Sequence, residues 1–410
     1  VKSVSKLILL LMLISTSLFS KKLKQGVYRG VLFLNEEKGI ELPFNFSVNY
    51  KGKKPIIVIT NADEKISIDE ITIKGDSVNF KMPVFDTEFK TVIVGDNLEG
   101  LWINNYKSGN NKIKFKATFG EARRFLFTPE KSVPLFEGKW EVVFSPENQN
   151  VTKAIGAFHH TEQTEQVTGT FLTETGDYRY LEGMQSGNKL FLSSFDGSHA
   201  YLFTVEQNKG FLINGKFYAG STWEENWGAR LNPDFRLADP EEISFVKNKD
   251  EKINFTFPDL NGKQVSLNDK KFENKPVIVQ VMGSWCPNCM DESLYFSSLY
   301  TTYKKEGLEI VALAFEKTTD FEKAKIQVAR MKKRLSIGYD ILITQQTGKD
   351  KAGEVLSALN KITAFPTTIF LNKEHKVVKV HTGFSGPATG NEYEIYKQRT
   401  ENLIKSLLKD

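Results

Sequence analysis

Cysteine is almost missing from this chain: there are two in 410 residues, three positions apart at Cys286 and Cys289. That excludes a disulfide framework. A bond closing so short a loop would add little stability, because that contribution grows with loop length. Chemistry is the better reason for the pair. Histidine is also scarce, with five residues. Without a second Cys-x-x-Cys or a nearby His pair, a four-ligand zinc site is not expected, nor is any other metal or cofactor. Excess charge of one sign is lacking too, since 55 Lys and Arg oppose 50 Asp and Glu. The Lys residues are scattered and no nucleic-acid motif occurs, so no nucleic-acid partner is expected. Long apolar runs are absent after the amino terminus, which leaves no segment able to cross a membrane as a helix.

The first twenty residues read as a targeting segment. Lys2 and Lys6 flank the start of an apolar run, Leu7 to Ile14, and Ser15, Thr16, Ser17 and Ser20 offer small residues for cleavage. This is the pattern of a secretory signal peptide over 1–20. No Cys lies near the expected cleavage region, so a lipid-modified Cys at the mature amino terminus is not expected.

Residues 21–245 are expected to be β-rich. Runs such as Pro55–Thr60, Ser67–Ile73 and Thr91–Val94 alternate with Gly, Asn and Asp turns, and long helical periodicity is missing. The region also repeats itself. Gly26-Val-Tyr28 resembles Gly138-Lys-Trp140, and Gly75–Phe80 resembles Gly187–Leu192. Phe85-Asp86 resembles Phe195-Asp196, and Leu98–Trp102 resembles Ile213–Phe217. The offsets are 110 to 115 residues and the order is kept. Two similar β-barrel or sandwich domains are predicted, 21–130 and 131–245.

From 246 to 410 the pattern becomes α/β. Asn254–Phe257 and Gln264–Leu267 flank an Asn-Gly turn, which predicts a hairpin. Pro276–Met282 is nearly all apolar, as a strand covered on both faces requires. A helix from Cys289 follows, then a strand (Leu308–Phe315), a helix (Phe321–Arg334), a strand (Asp340–Thr344), a helix (Gly348–Leu359), strands (Thr367–Leu371 and Lys376–His381) and a helix near Glu392–Leu408. Together they predict one domain with a mixed sheet.

Cys286 and Cys289 open the helix after the buried strand, within Gly283-Ser-Trp-Cys-Pro-Asn-Cys-Met-Asp-Glu292. Unpaired N–H groups and the helix dipole favour a thiolate at Cys286, which makes it the nucleophile. Cys289, one turn in, would resolve the mixed disulfide. The Cys-x-x-Cys beside strand–helix units is the thioredoxin-like signature. Copper delivery would use wider Cys spacing and a dedicated His, whereas His381 at a strand end is expected to be solvated. Peroxide reduction would want a Thr shortly before the first Cys, which Gly283-Ser-Trp does not supply.

On three motifs the stretch 251–410 resembles the TlpA/ResA-like thiol–disulfide oxidoreductases of the thioredoxin superfamily. They are Phe255-Thr-Phe-Pro-Asp259, Trp285-Cys-Pro-Asn-Cys289 and Ala364-Phe-Pro-Thr-Thr-Ile-Phe370. The resemblance implies a thioredoxin-like domain with a redox-active Cys286–Cys289 pair. It implies a cis Pro366 facing that pair, and a Glu292 that handles the proton of the resolving thiol. Trp285, Pro287, Phe365 and Pro366 would meet the substrate. Gln280 stands where thioredoxin has a buried Asp, and Phe365 departs from the smaller residues common before the cis-Pro. Glu292 is expected partly buried beneath the cysteines. The partners implied are a protein disulfide substrate and an upstream redox protein as electron donor, in the periplasm. The β-rich half resembles, less specifically, regions that precede redox domains in some family members. There His159, His160, Asp177 and Arg179 could form a site, but turn and surface positions are the expected reading. The rival reading is a β-domain binding protein with an auxiliary redox domain.

Overall fold

The computed structural model describes residues 22–127, 130, 135–149, 151–161, 164–248 and 251–409, so the expected signal peptide lies outside the described residues. No helix among them is long and apolar enough to cross a membrane.

The β-rich half is two nine-stranded antiparallel sheets. The first comprises β1 (Gly26–Asn35), β2 (Ile40–Lys51), β3 (Lys54–Asn61), β4 (Glu64–Ile68), β5 (Ile71–Lys74), β6 (Ser77–Lys81), β7 (Thr87–Val94), β8 (Asn97–Asn104) and β9 (Lys112–Phe119). The second comprises β10 (Gly138–Phe144), β11 (Thr152–His160), β12 (Gln166–Thr173), β13 (Gly176–Asp177), β14 (Leu181–Ser186), β15 (Lys189–Phe195), β16 (Ala200–Asn208), β17 (Phe211–Ala219) and β18 (Trp223–Leu231). Alternating buried and exposed residues, as in β7, turn one face of each strand to an aromatic interior.

Both sheets are meanders whose first and last strands pair, β1 with β9 and β10 with β18. The repeat is visible in detail. Gly100 and Gly215 both sit where a Cβ would collide with a facing carbonyl, 2.1 Å from Lys90 O and 2.3 Å from Trp227 O. The two sheets then differ. A β11–β12 pairing closes the second into a barrel, whereas the first leaves β4 and β5 as edges. Ser67–Ile73, expected as one strand, breaks at Asp69 and Glu70. Both carboxylates turn outward there to arginines on a later helix, Asp69 to Arg334 and Glu70 to Arg330. The ion pairs replace continued strand pairing at that point.

The carboxy-terminal part has a short helix α1 (Pro240–Ile243), then a hairpin of β19 (Thr256–Pro258) and β20 (Gln264–Ser266). The remaining strands are β21 (Val277–Met282), β22 (Glu309–Ala314), β23 (Asp340–Ile343), β24 (Thr367–Leu371) and β25 (Val377–Thr382). They form a sheet in the order β23-β22-β21-β24-β25. β22 pairs parallel with the central β21 and β23 parallel with β22, while β24 pairs antiparallel with β21 and β25 antiparallel with β24. The helices are α2 (Pro287–Tyr303), α3 (Phe321–Arg334), α4 (Gly348–Val355) and α5 (Asn391–Lys409). All six residues of β21 are buried, because both faces of the sheet are covered. This strand delivers the chain from the middle of the core to the cysteines.

Candidate active site

The turn after β21 is tied down before the first cysteine arrives. Ser284 donates from its N–H and its hydroxyl to the buried Glu316 carboxylate, at 2.7 and 2.8 Å. The Trp285 indole donates to Phe315 O at 3.0 Å, and Lys317 Nζ sits 3.6 Å from the ring centre. Cys286 is then the N-cap of α2, with Pro287 in its first turn. Its Sγ accepts from the Cys289 N–H at 3.2 Å, which meets one of the free donors of a helix start. The Cys286 thiol also reaches Phe365 O at 3.4 Å, and the Phe365–Pro366 peptide is cis.

Cys286 is 7 % exposed and Cys289 is fully buried. Burial first, and then the neighbouring Cys286, push the Cys289 thiol well above its usual value. A proton on Cys289 therefore needs a local acceptor before that sulfur can attack.

Glu292 is the candidate. It is fully buried rather than partly buried as expected, because α2 places it on the face packed against the sheet. Its carboxylate accepts from Gln280 Nε2 (2.8 Å), Thr368 Oγ1 (2.7 Å) and the Tyr396 hydroxyl (3.1 Å). Gln280 Oε1 in turn accepts from Ser293 and Tyr339. Burial raises Glu292 to about 7, and the three hydrogen bonds oppose the rise. No cation is among these partners, so the site leaves the carboxyl poised between its two forms.

Three more positions depart from expectation. His381 is half-buried against Tyr396 with rings 4.8 Å apart, not solvated, because α5 packs over its strand; burial lowers it to about 4. Asp177 and Arg179, expected at the surface, are buried. β13, which ends at Asp177, and the turn that follows it insert them between the second sheet and α2. His159, by contrast, is exposed beside Glu137.

Arg179 pairs with Glu64 of the first sheet and Asp291 of α2, lies 3.6 Å from Asp196, and donates to Pro287 O at 3.0 Å. Burial works against its charge, but these carboxylates outweigh it and raise it further. Burial also raises Asp291 to about 7, against the pull of Arg179. Gly176, at φ 138°, lets the backbone come so close to α2 that a Cβ there would lie 2.3 Å from Asn288 Nδ2. Asn288 uses that approach to donate to Asp177 O at 3.1 Å.

Sequence reasoning missed Asp196, Ser198, His199 and Glu316. The Phe195-Asp196 match marked the start of this loop only as a repeat. Its contacts span too much sequence for spacing to show: Ser198 Oγ donates to Trp285 O at 3.1 Å, and Thr87 donates to Gly197 O at 2.6 Å.

Trp285, Cys286, Pro287 and Phe365 come together on one cleft of about 560 Å³, while Pro366 is buried and not part of that lining. A separate cavity of about 460 Å³ between the second sheet, α1 and α5 reaches His381 and Tyr396 but no cysteine. The sulfur chemistry places the site in the first cleft.

A sheet of this order, with a Cys-x-x-Cys dithiol at the start of the helix after its central strand, defines a thioredoxin-fold thiol–disulfide oxidoreductase. Residues 233–396 match the Redoxin family. The ResA thiol–disulfide oxidoreductase of Halalkalibacterium halodurans is 31 % identical over 140 residues, 34 % of this chain and 71 % of the relative. That of Bacillus subtilis is 34 % identical over 152 residues, 37 % of this chain and 73 % of the relative. A solved thioredoxin-family thiol:disulfide interchange protein from Chlorobium tepidum aligns at 20 % identity and TM-score 0.30, covering 40 % of this chain and 99 % of its own. The chain belongs to the ResA family of thiol–disulfide oxidoreductases.

Proposed function

We propose that this protein works outside the cytoplasm, in the periplasm, as a reductant of disulfides in partner proteins. Cys286 is the nucleophile, Cys289 the resolving thiol and Glu292 its proton acceptor. The Cys286 thiolate attacks the partner disulfide. That S–S bond breaks, a mixed disulfide forms, and one partner sulfur leaves and takes a proton from water. Cys289 gives its proton to Glu292 and attacks Cys286 Sγ. The mixed disulfide breaks, the Cys286–Cys289 disulfide forms, and the second partner sulfur leaves. Two electrons pass from the dithiol to the partner, and an upstream redox protein returns them.

The observation that carries this reading is the pairing of a buried, hard-to-ionise Cys289 with a Glu292 raised to about 7 nearby. The direction of electron flow is set by the reduction potential of the pair against that of its partners, and equilibration of the dithiol with a glutathione couple tests the reducing assignment.

The test follows mixed-disulfide decay and Cys286 alkylation separately in Glu292→Gln. Decay should slow by about 100-fold, within the usual range for losing a general base, and alkylation far less. Unchanged decay across pH 5 to 8 would remove Glu292 from the mechanism. Cys289→Ser should hold the partner as a stable adduct, whose identification names the substrate.

A further inference from the structure

The cysteine cleft is not made by the redox domain alone. Its opposite wall comes from the second β sheet: Tyr178, His199, Tyr201, Phe217, Trp223 and Glu225. We propose that this wall is a substrate-binding surface. It admits an extended, disulfide-bearing polypeptide segment and selects an aromatic residue beside the substrate cysteine.

The two halves are built as one site. Cys286 is flanked by Trp285 and Pro287, and the second sheet holds the carbonyls of both, through Ser198 at 3.1 Å and Arg179 at 3.0 Å. The cleft geometry is therefore fixed from the sheet side.

Shape decides the class of substrate. Cys286 is only 7 % exposed and lines the cleft opposite the sheet. A segment extended along the cleft can bring its cystine to that sulfur, while the facing wall opposes the approach of a bulky folded surface. A space of about 560 Å³ lies in the range that holds a drug-sized ligand, roughly a few residues. Backbone hydrogen-bonding capacity is present as well. Tyr178 and Tyr201 both line the cleft, their rings 5.4 Å apart, and each brings a phenolic hydroxyl. Phe365 O faces the same space beside Cys286 Sγ.

Chemistry decides the flanking residue. Trp223 is 57 % exposed, and its indole N–H is held by Glu225 at 3.2 Å, which fixes the ring at the rim. Tyr201 stacks on His199, centroids 4.5 Å apart, and His199 Nδ1 is held by Asp196 at 3.2 Å. Rings held this way lose little freedom when another ring packs on them, so an aromatic side chain gains most. Glu225 disfavours an acidic one.

The inference rests on the proposed reduction chemistry only for turnover, so binding and turnover are measured apart. The full chain carrying Cys286→Ser and Cys289→Ser is titrated with two disulfide-bonded peptides, identical except for Phe or Gly beside the cysteine. The Phe peptide should bind at least tenfold more tightly. Adding Trp223→Ser or Tyr201→Leu should bring the ratio near one. Phe211→Ser, exposed at the far end of the same β17 strand, is the control and should keep the ratio. Equal binding of the two peptides, or a ratio that survives both wall variants, overturns the proposal. Single-turnover reduction by the wild-type dithiol is then read with the same peptides and with oxidised glutathione. A Phe preference over both Gly peptide and glutathione supports an extended segment, and equal rates for all three overturn it. Selective binding with no reduction of any disulfide leaves the wall standing and refutes the reduction chemistry instead.

Discussion

At α3 the first β sheet presents exposed carboxylates to the redox domain, Glu70 to Arg330 and Asp69 to Arg334, 51 % and 57 % exposed, beside a part-buried hydrogen bond from Gln327 to Asp86. The second sheet touches α2 with a buried one, since Arg179 is 3 % exposed and pairs with Asp291 beside the catalytic turn. The ion pairs at α3 and at α2 thus differ in kind, although Glu64 of the first sheet also joins the buried Arg179 cluster. Exposed pairs contribute about 0–1 kcal/mol each. Breaking a buried pair costs about 3–5 kcal/mol, because a charge is left without a partner. The difference teaches that the charge pairs at α3 brace the molecule, while the Arg179 cluster, built by the second sheet with Glu64 of the first, sets the wall of the cysteine cleft. The closed barrel fits that role, because closure fixes the turn that carries Asp177 and Arg179.

The largest test of this contrast is Arg179→Met. It leaves Glu64 and Asp291 buried without their cation, while Asp196 keeps His199, and should lower stability by about 3–5 kcal/mol at pH 7. Urea unfolding measures this, and alkylation should show a more accessible Cys286. An unchanged midpoint would mean that the buried cluster does not hold the second sheet to α2.

Acid should repair part of that damage, and the sign follows from the carboxyls. Asp291 and Glu292 are both raised to about 7 by burial. At pH 5 the folded chain therefore holds protons that the unfolded chain has lost. Stability from these groups is present in mild acid and falls as pH rises through about 7. The expected loss between pH 5 and pH 8 is on the order of 2–3 kcal/mol per group at most. Chemical denaturation against pH reads it. Glu292→Gln should flatten the curve by one share, since its partners are neutral hydrogen-bonding groups. Asp291→Asn should flatten it but also lower the plateau, because Arg179 loses its partner on α2. Equal behaviour of the two variants would erase the distinction between a carboxyl held by charge and one held by neutral groups.

That distinction marks how far the sequence could be read. α3 spans Phe321–Arg334 and β24 spans Thr367–Leu371, as the local pattern predicts, with Asp320 capping α3. Apolar period and caps are local signals, and so is the Cys-x-x-Cys spacing. Gln280, Glu292 and Thr368 all lay in motifs that could be quoted, yet full burial of Glu292 depends on Tyr396 from the last helix. Arg179 was visible only as a charged residue in a turn. Its meaning comes from Glu64, Asp196 and Asp291, and no periodicity links partners so far apart. His381 was misread for the same reason, since α5 covers it from a distance in sequence.

The smallest expected effect lies at α3. Arg334 Nη1 meets both oxygens of Asp69 at 3.0 and 3.1 Å, and its Nη2 donates to Ser67 O at 2.7 Å. The geometry is good, but the groups stand in water and their attraction is screened within about 8–10 Å at ordinary salt. Arg334→Ala should therefore cost about 1 kcal/mol or less, and the cost should shrink as salt is raised. Arg330→Ala should behave alike, and neither should change the rate at which Cys286 is alkylated. A larger loss, indifferent to salt, would mean that the break at Asp69 and Glu70 is held by α3 as firmly as Arg179 is held by α2. A changed Cys286 rate would go further, because it would make the first sheet, like the second, part of the redox site.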